Sequence, residues 1–377
     1  MKILVVLSEE LKHYPPVMTL LYSLTDMGHN VGFVARNVED LPESLMNNKN
    51  LRIISVKHSC PKNFIKKILA YLIYKRNVKS LVKKEKRKYD LIWTTTDTTV
   101  RELGNILYGE KYVMQLMELI QYLPRYPLCS WIKFPIDRYA RTAVAVAVPE
   151  YNRAHIQKAW WQLDKLPYIL PNKPYVCRED MEEHNDAIRN VEKELTSEKR
   201  KIILYQGVFQ EERNLRIYAE AINRLNNRYV FYLMGRENAY SRDLLKDFPN
   251  VKFINFIVPP LHLRITGKAN IGILNYNAVK SNNHISVLNP IYCAPNKVYE
   301  YAMFGVPMLG NEIPGLNNSL ENNGIGVCHK GDSADDIVRA ILNIESNYKE
   351  LSDNCRKFYQ SDNIQDTINT ILRTVGE

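Results

Sequence analysis

Residues 289–316 read NPIYCAPNKVYEYAMFGVPMLGNEIPGL, and this stretch guides the interpretation of the whole chain. Pro295 has a preset φ and no amide hydrogen, so it suits the first position of a helix, and Gly305 suits the end of that helix. The short apolar run 306–309 predicts a buried strand. The Pro-Gly pair at 314–315 predicts a closing turn. The stretch therefore predicts a loop, a helix, a strand and a turn, in that order.

Lys297 and Glu300 are the only charged residues of this helix, and their i,i+3 spacing places them on one face near its N-terminus. A carboxylate there can accept hydrogen bonds from a diol such as ribose, while the free N–H groups and Lys297 can hold phosphate oxygens. The pattern therefore suggests a nucleotide site. The alternative is that Glu300 only complements the helix dipole and that Lys297 is a solvated surface charge.

Segment 295–307, PNKVYEYAMFGVP, resembles the donor-binding signature of family 4 of the GT-B glycosyltransferases, in the version common among bacterial surface-polysaccharide enzymes. The resemblance extends more weakly over nearly the whole chain. It implies an α/β protein with the GT-B fold, two doubly wound Rossmann-like domains that face a central cleft. It also implies that the second domain holds the nucleotide-sugar donor, that the first holds the acceptor, and that transfer retains the anomeric configuration.

The chain has 377 residues, which is too long for one ordinary core and predicts two domains. Residues 170–174, LPNKP, resemble the hinge of the family, and the last helix resembles the piece that crosses back onto the first domain. We therefore predict a first domain of residues 1–170 and 363–377, and a second domain of residues 171–362. No apolar run approaches the roughly 20 residues of a membrane helix, and no signal sequence is recognised, so we expect a cytoplasmic protein.

Six cysteines are scattered without a C-x-x-C pair, which argues against a disulfide framework and a structural zinc site. The sequence has no Asp-x-Asp motif and no cluster with metal-ligand spacing, so we expect no metal and no other cofactor. It also lacks G-x-S-x-G, P-loop and G-x-G-x-x-G motifs, which argues against hydrolases, kinases and dehydrogenases.

The chain opens with a βαβ pattern. Residues 2–8 predict a strand, residues 17–27 a helix and residues 31–35 a second strand, while Pro15 and Pro16 predict the loop before the helix. This unit resembles the N-terminal unit of the family, although many members have a Gly-Gly pair where the two prolines stand. The resemblance places Pro15 and Pro16 on the acceptor side.

The formal net charge is +10, and between residues 57 and 88 twelve Lys or Arg accompany a single acid, Glu85. Apolar residues recur at helical spacing through 64–82 while Lys and Arg fill the polar faces, which is the pattern of an interfacial helix. We expect segment 57–88 to contact an anionic membrane surface, on the inner face of the cell membrane. The alternative is a solvated basic helix packed on the sheet. No recognised motif supports nucleic-acid binding.

Three further runs predict strands of a parallel sheet in the first domain: 91–95, 112–117 and 143–148. Ligands of such sheets bind beyond the carboxyl ends of the strands, so residues 94–97, Glu118, Glu150 and Arg153 should face the cleft. In the family, residues at the strand end that Glu118 follows approach the reacting sugar or the acceptor. Glu118 is therefore a candidate catalytic residue, and Glu150 and Arg153 are candidates on the acceptor side. The alternative for Glu118 is a surface acid at the start of a loop.

Four runs predict the strands of a second doubly wound sheet: 201–206, 229–234, 251–257 and 271–276. Gly207 forms the turn after the first of them. The family places cationic side chains near this turn against the donor diphosphate, and Arg213 fits one of the two positions. The resemblance also places Phe256 and Ile257 against the nucleobase.

Many family members carry two glutamates separated by seven residues; the second matches Glu300, but the first falls on Tyr292. In those members the first glutamate helps to hold the donor sugar. The resemblance therefore implies that the donor sugar is held by Asn289, by Tyr292 or by the backbone of the loop 277–294. Three more residues complete the predicted donor-binding set: Gly207, Asn296 and Gly315.

We therefore expect a glycosyltransferase that moves a hexosyl or N-acetylhexosaminyl group from a nucleoside diphosphate sugar, UDP-linked, to a lipid-linked or saccharide acceptor in capsule, O-antigen or exopolysaccharide synthesis. Without a metal, we expect Arg213, Lys297 and the helix N-terminus to stabilise the negative charge of the leaving group. Family analogy implies front-face attack assisted by the leaving phosphate. Two alternatives stay open, a sugar-nucleotide epimerase with the same fold, which needs acid and base groups around the sugar, and a non-catalytic partner subunit.

Overall fold

A computed structural model describes residues 1–38, 41–58, 61–126, 129–175, 178–182, 185–278 and 285–376. Within these ranges the chain forms two compact units. The first unit comprises residues 1–175, 281–289 and 363–377, and the second comprises residues 176–280 and 290–362.

The strands are β1 (Lys2–Val6), β2 (Asn30–Arg36), β3 (Leu51–Val56), β4 (Leu91–Thr94), β5 (Tyr112–Gln115), β6 (Leu123–Tyr126), β7 (Cys129–Phe134), β8 (Ala145–Val148), β9 (Tyr168–Ile169), β10 (Lys201–Gln206), β11 (Tyr229–Gly235), β12 (Val251–Asn255), β13 (Ile271–Leu274), β14 (Met308–Asn311) and β15 (Gly326–His329).

The helices are α1 (Pro15–Asp26), α2 (Glu43–Met46), α3 (Phe64–Glu85), α4 (Asp97–Leu103), α5 (Ile136–Thr142), α6 (Tyr151–Trp161), α7 (Arg178–Glu182), α8 (Asp186–Ser197), α9 (Leu215–Asn223), α10 (Ala239–Asp247), α11 (Leu263–Thr266), α12 (Leu288–Ile291), α13 (Asn296–Met303), α14 (Pro314–Leu316), α15 (Ala334–Ser346), α16 (Tyr348–Ser361) and α17 (Ile364–Gly376). None of these helices is both long and apolar enough to cross a membrane.

The first unit is built on a seven-stranded parallel sheet in the order β3-β2-β1-β4-β5-β8-β9. Its central strands β4, β5 and β8 are buried at every residue and mostly apolar, as expected where helices cover both faces of a sheet. All strands point the same way, so their carboxyl ends share one edge. That edge is where such sheets bind ligands.

The second unit repeats this architecture with six parallel strands in the order β12-β11-β10-β13-β14-β15. The chain changes direction between β10 and β13, which are neighbours in the sheet although two strands separate them in sequence. Helix α13 follows β13 and leads into β14, as the loop, helix and strand order of 289–316 predicts. The predicted α/β class, with two doubly wound sheets, is confirmed.

Prolines begin helices at two places where the sequence predicts a loop or a turn. Pro15 and Pro16 occupy the first two positions of α1, and the 314–315 pair begins α14, which a π-helical turn continues. The first N–H groups of a helix have no intrahelical acceptor, so a proline there removes nothing. Pro295, in contrast, has an extended backbone with ψ near 138° and caps α13 from outside, so that the helix begins one residue later than predicted.

The hairpin of β6 and β7 is absent from the sequence prediction. It lies between β5 and α5 in the chain, and its base is anchored by the buried side chains of Leu123 and Phe134. A further antiparallel bridge joins Ile120 to Ile285, which attaches the described end of the 277–294 loop to the first unit. Residues 279–284 of that loop lie outside the described residues.

Three cysteines of the second unit, Cys293, Cys328 and Cys355, are buried free thiols. Cys60 and Cys177 lie outside the described residues, and the side chain of Cys129 is not described.

Candidate functional site

The turn after β10 brings the start of α13 close to the carboxyl edge of the second sheet. Gly207 has a φ of 135°, a conformation that a residue with a side chain rarely adopts. A Cβ atom built on Gly207 would lie 2.8 Å from Nζ of Lys297. The glycine therefore serves two purposes, since it permits the turn and leaves space for the lysine.

Lys297 is half-buried against aromatic rings. Its Nζ lies 4.7 Å from the ring centroid of Tyr205 and 5.8 Å from that of Tyr276. Within the described ranges no carboxylate lies at ion-pair distance from this ammonium group. Burial and, to a smaller extent, the positive charge of Arg213 lower the pKa of Lys297 to about 7, and the charge of Glu300 opposes the shift. Without a bound anion, Lys297 therefore loses its proton more readily than an ordinary lysine.

Arg213 lies against the same Tyr276 ring, with the guanidinium carbon 4.1 Å from the ring centroid. Its Nη1 donates to the backbone carbonyl of Asn275 at 3.1 Å, and the Asn275 amide donates back to the carbonyl of Arg213 at 2.7 Å. Tyr276 itself is fixed by two hydrogen bonds between its backbone and the side chain of Asn311. The cation is thus positioned by neutral groups, and no carboxylate of the described residues forms an ion pair with it.

Glu300, the fifth residue of α13, is only 4% exposed. Its carboxylate accepts a hydrogen bond from Nε2 of Gln206 and lies 3.4 Å from Nε2 of His262. The Oε1 atom of Gln206 in turn accepts from the Thr266 hydroxyl at 2.7 Å. This burial is inconsistent with the alternative of an exposed acid that only complements the helix dipole. The network holds Glu300 rigidly, one turn of helix from Lys297.

These contacts give the second unit a site with two uncompensated cations and one oriented carboxylate. The structure brings together four of the residues predicted from sequence, namely Gly207, Arg213, Lys297 and Glu300. Charged groups removed from water require compensation, so the two cations favour an anion between or beside them. A phosphate or diphosphate has the charge and the acceptor oxygens for that position.

The remaining donor-site candidates in the second unit have other surroundings. Phe256 follows β12 with its ring partly exposed and 5.0 Å from the guanidinium of Arg236, while Ile257 packs against the core. A Cβ atom on Gly315 would lie 2.7 Å from the backbone nitrogen of Cys293, so this glycine permits close packing of the 291–293 backbone. Two candidates are half-buried in the segment leading into α13: Tyr292 and Asn296.

Asn289, which the resemblance assigns to the donor-binding set, belongs to the first unit. Its Oδ1 accepts from the backbone amide of Leu119 at 2.8 Å, and its Nδ2 donates to the Glu118 carboxylate at 2.7 Å. The amide that follows β5 needs an acceptor, and Asn289 supplies it. Glu118 is exposed, in agreement with either of its two interpretations.

Glu150 and Arg153 have structural partners where the sequence predicts acceptor contacts. Glu150 caps α6, and its carboxylate accepts from the backbone amide of Arg153 at 2.9 Å and from the side chain of Asn152 at 2.8 Å. The buried guanidinium of Arg153 donates to the carbonyls of Met117 and Asn289. These contacts explain why a buried arginine follows β8. Pro15 and Pro16 form the first turn of α1 and carry no polar side-chain group for an acceptor.

The carboxyl edge of the first sheet carries two acids that the sequence prediction does not assign to a role. Glu9 follows β1 and accepts from the Thr98 hydroxyl at 3.1 Å, and burial raises its pKa. Burial also raises the pKa of Asp97, after β4, to about 6, with further contributions from the charges of Glu9 and Glu118. Both acids directly follow predicted strands, and this position could have marked them as residues of the ligand-binding edge of the sheet. Three carboxylates therefore lie near one another at the ends of β1, β4 and β5.

No protein-family model matches the chain, and no curated protein matches its sequence. Among the described residues, no group of three His, Cys, Asp or Glu side chains has the arrangement of a metal site. The fold, however, is similar to that of solved structures over the full chain length.

HepE from Anabaena, in a complex with UDP and glucose, superposes with a TM-score of 0.69 at 12% identity, covering 100% of both chains. Sucrose-phosphate synthase from Thermosynechococcus elongatus gives a TM-score of 0.69 at 14% identity, covering 100% of this chain and 99% of the other. A glycosyltransferase from Rickettsia africae gives 0.60 at 13% identity, with 99% and 95% coverage. Two Rossmann-like parallel sheets and these superpositions identify the fold of this protein as GT-B.

Proposed function

We propose that this protein is a glycosyltransferase that takes a sugar from a UDP-linked donor. The observation that carries the proposal is the pair of cations, Arg213 and Lys297, which lie against one tyrosine ring and form no ion pair with a carboxylate of the described residues. The rigid Glu300 carboxylate lies close to them. The complex of the structurally similar HepE with UDP and glucose supports the choice of donor.

In this proposal the donor lies along the start of α13. Arg213 and Lys297 bind the diphosphate, and the Glu300 carboxylate accepts hydrogen bonds from the ribose hydroxyls. Phe256, exposed after β12, contacts the nucleobase. The donor sugar lies near Tyr292. Charge-assisted hydrogen bonds of this kind are about twice as strong as neutral ones, so the diphosphate supplies most of the affinity.

The chemical step breaks the bond between the anomeric carbon and the β-phosphate oxygen, and UDP departs with the electron pair. Negative charge therefore grows on the β-phosphate, next to Arg213 and Lys297, which stabilise it more strongly in the transition state than in the ground state. The acceptor hydroxyl forms the new bond to the anomeric carbon. The family resemblance implies that the anomeric configuration is retained by attack from the face of the leaving group, with the hydroxyl proton passing to the leaving phosphate.

The acceptor in this proposal is a lipid-linked or free saccharide of a surface polysaccharide, and the first unit contributes the residues near its hydroxyl. Glu118 is the exposed carboxylate of that unit's sheet edge, and Asp97 is the acid whose pKa lies near neutrality. Inversion would need a base of this kind, so Asp97→Asn tests the retaining mechanism. A retaining enzyme is expected to keep most of its kcat in this variant.

We also propose that the basic segment 57–88 holds the protein at an anionic membrane surface. Helix α3 carries most of these Lys and Arg residues, and its two C-terminal lysines, Lys83 and Lys84, are exposed. Each such residue near an anionic bilayer contributes about 1 kcal/mol of binding free energy. A lipid-linked acceptor would be available at that surface.

The experiment that tests the function is a panel of nucleotide sugars screened for thermal stabilisation, followed by assay of the best ligand. A bound donor raises stability by RT ln(1 + [L]/Kd). We expect UDP release that depends on a saccharide acceptor, and a product whose anomeric configuration NMR shows to be retained. Isomerisation of the donor without acceptor would indicate an epimerase, and the absence of both binding and turnover would indicate a non-catalytic subunit.

Donor affinity is expected to fall as the pH rises above 7. The pKa of Lys297 is about 7 in the free protein because of burial and Arg213. A neighbouring diphosphate raises this pKa, so binding takes up a proton. Affinity is therefore full below pH 7 and falls by at most about tenfold per pH unit above it, until the pKa of the complex is reached.

Calorimetric titration with UDP-glucose from pH 6 to pH 9 measures this dependence, because the diphosphate of a nucleotide sugar does not itself titrate there. Lys297→Arg keeps the charge at all these pH values and should give a flat profile. A slope that persists unchanged in Lys297→Arg would assign the titration to another group.

A further inference from the structure

Helix α3 exposes an apolar stripe along its N-terminal half. Six large apolar residues there are all exposed, and they recur in adjacent pairs every four positions: Phe64, Ile65, Ile68, Leu69, Leu72 and Ile73. Ile65 is 74% exposed. The buried residues of α3 begin only at Tyr74, so the stripe contributes nothing to the core of the first unit. Contiguous apolar surface of this kind marks an interaction site.

The β6–β7 hairpin exposes a second apolar group. Trp131 is 83% exposed, and three more large side chains are exposed beside it in sequence: Tyr122, Tyr126 and Ile132. Nζ of Lys133 lies 4.8 Å from the Tyr122 ring. Tryptophan and tyrosine next to lysine and arginine is the composition that proteins place at the interface of a bilayer with water.

Hydrogen bonds connect the hairpin to α3 through α4. The Tyr71 hydroxyl of α3 donates to Glu102 at 2.6 Å, Glu102 accepts from Arg101, and Arg101 donates to the carbonyl of Pro124 in β6 at 3.2 Å. These buried contacts fix the hairpin relative to the helix.

A charge of the hairpin also acts on α3 beyond the end of the stripe. The pKa of Lys79 is lowered by burial, by Lys75 and also by the nearby charge of Arg125 in β6. Lys79 follows Leu72 by seven residues, which is two turns of helix, so it lies on the same side as the stripe. The hairpin charge therefore acts on a residue on the side of α3 that carries the stripe.

We propose that the α3 stripe and the β6–β7 hairpin form one docking surface that inserts its apolar side chains into an anionic lipid bilayer. This inference rests on the membrane contact proposed above and adds the depth and the residues of insertion. The charge favours lipid over a second copy of the chain. Two copies joined through α3 would oppose two segments that each carry twelve Lys or Arg against one acid, whereas anionic headgroups neutralise them.

Flotation of the full-length protein with phosphatidylcholine vesicles, with and without phosphatidylglycerol, tests the proposal. The parent protein is expected to float with the anionic vesicles. The variants Ile65→Ser/Leu69→Ser and Trp131→Ser are each expected to lower the bound fraction at least tenfold. Leu342→Ser, which changes an exposed leucine on helix α15 of the second unit, is the matched control and should bind like the parent.

Tryptophan fluorescence reports insertion directly, because Trp131 is exposed while Trp93 and Trp161 are buried and Trp160 is half-buried. The emission of the parent should shift to the blue with anionic vesicles, and Trp131→Phe should lack the shift. Circular dichroism checks that each variant is folded.

Three results would overturn the inference, and they can be told apart. Flotation that salt abolishes but that neither serine variant affects would leave electrostatic contact only. No flotation of the parent at low salt would remove the membrane contact as a whole, and would leave UDP-sugar binding by the second unit to be judged separately. A parent dimer that dissociates in Ile65→Ser/Leu69→Ser without vesicles would make a second copy the occupant.

Discussion

Arg213→Ala is expected to lower the kcat of sugar transfer by about a hundredfold to a thousandfold, the usual effect of removing one fixed donor from a developing negative charge. The guanidinium is held by the Asn275 carbonyl and the Tyr276 ring, so it needs no reorganisation as the phosphate charge grows. The loss should appear in kcat as well as in kcat/KM, because the interaction strengthens in the transition state. Initial rates of UDP release at saturating donor measure it.

The chain offers a matched control three residues away. Arg216 is exposed on α9 and pairs with Asp247 at 2.7 Å, away from Lys297 and Tyr276. Arg216→Ala changes the net charge of the second unit equally and should keep the parent kcat. Equal losses in the two variants would indicate a general effect of charge on donor association and would remove Arg213 from the site.

Lys297→Met is expected to act in the same direction but more weakly, since an ammonium group acts as a point charge whereas a guanidinium can donate parallel hydrogen bonds to a phosphate. The two cations meet the same diphosphate in this proposal, so the losses in the double variant should not add. Additive losses would indicate that Arg213 and Lys297 bind separate groups of the donor and not the same diphosphate.

Local pattern predicted the two parallel sheets, while the family resemblance supplied the GT-B arrangement and the role of Arg213. Apolar runs of strand length alternate with helical spacing, and the segment that contains Lys297 and Glu300 has a chemically informative pattern within a few residues. The partners of those residues were not predictable in this way. Gln206 contacts Glu300 from 94 positions away and ends an apolar strand, so nothing near it in sequence marks its role.

The contacts of Asn289 were not predictable from the sequence around it. It lies seven residues before α13, yet its side chain binds Glu118, 171 positions away in the chain and in the first unit. The hairpin escaped prediction for another reason. Pro124 lies within β6, and proline argues against a strand unless the strand is at an edge, which the structure of this two-stranded sheet permits.

The periodicity of apolar residues does not predict that the stripe of α3 is exposed. The spacing of apolar residues through 64–82 predicts an amphipathic helix, but it does not show which of those residues face the sheet. In the structure the buried residues of the helix begin at Tyr74 and continue with Val78 and Val82. The apolar residues of the first half are exposed, which the basic character of the segment alone would not have predicted.

Glu300→Gln is expected to weaken UDP binding by about tenfold to a hundredfold. The substitution keeps the shape of the side chain but replaces a carboxylate by an amide, and a hydrogen bond to a charged group is worth roughly 1.5 to 3 kcal/mol. Calorimetric titration with UDP measures the loss. Thermal unfolding of the free protein is the companion measurement, because Glu300 also accepts from Gln206 and lies 3.4 Å from His262.

A ligand variant separates the ribose contact from damage to this network. If Glu300 binds the ribose diol, the parent should prefer UDP over its 2′,3′-dideoxy analogue by about tenfold to a hundredfold, and Glu300→Gln should bind the two ligands almost equally. Thr266→Val provides the control, since it removes the hydrogen bond to Gln206 without touching the carboxylate and should keep the preference. A loss in Glu300→Gln that is the same for both ligands would mean that the carboxylate supports the Gln206–His262 network only. Undiminished UDP binding would show that the 289–316 segment does not form the nucleotide site.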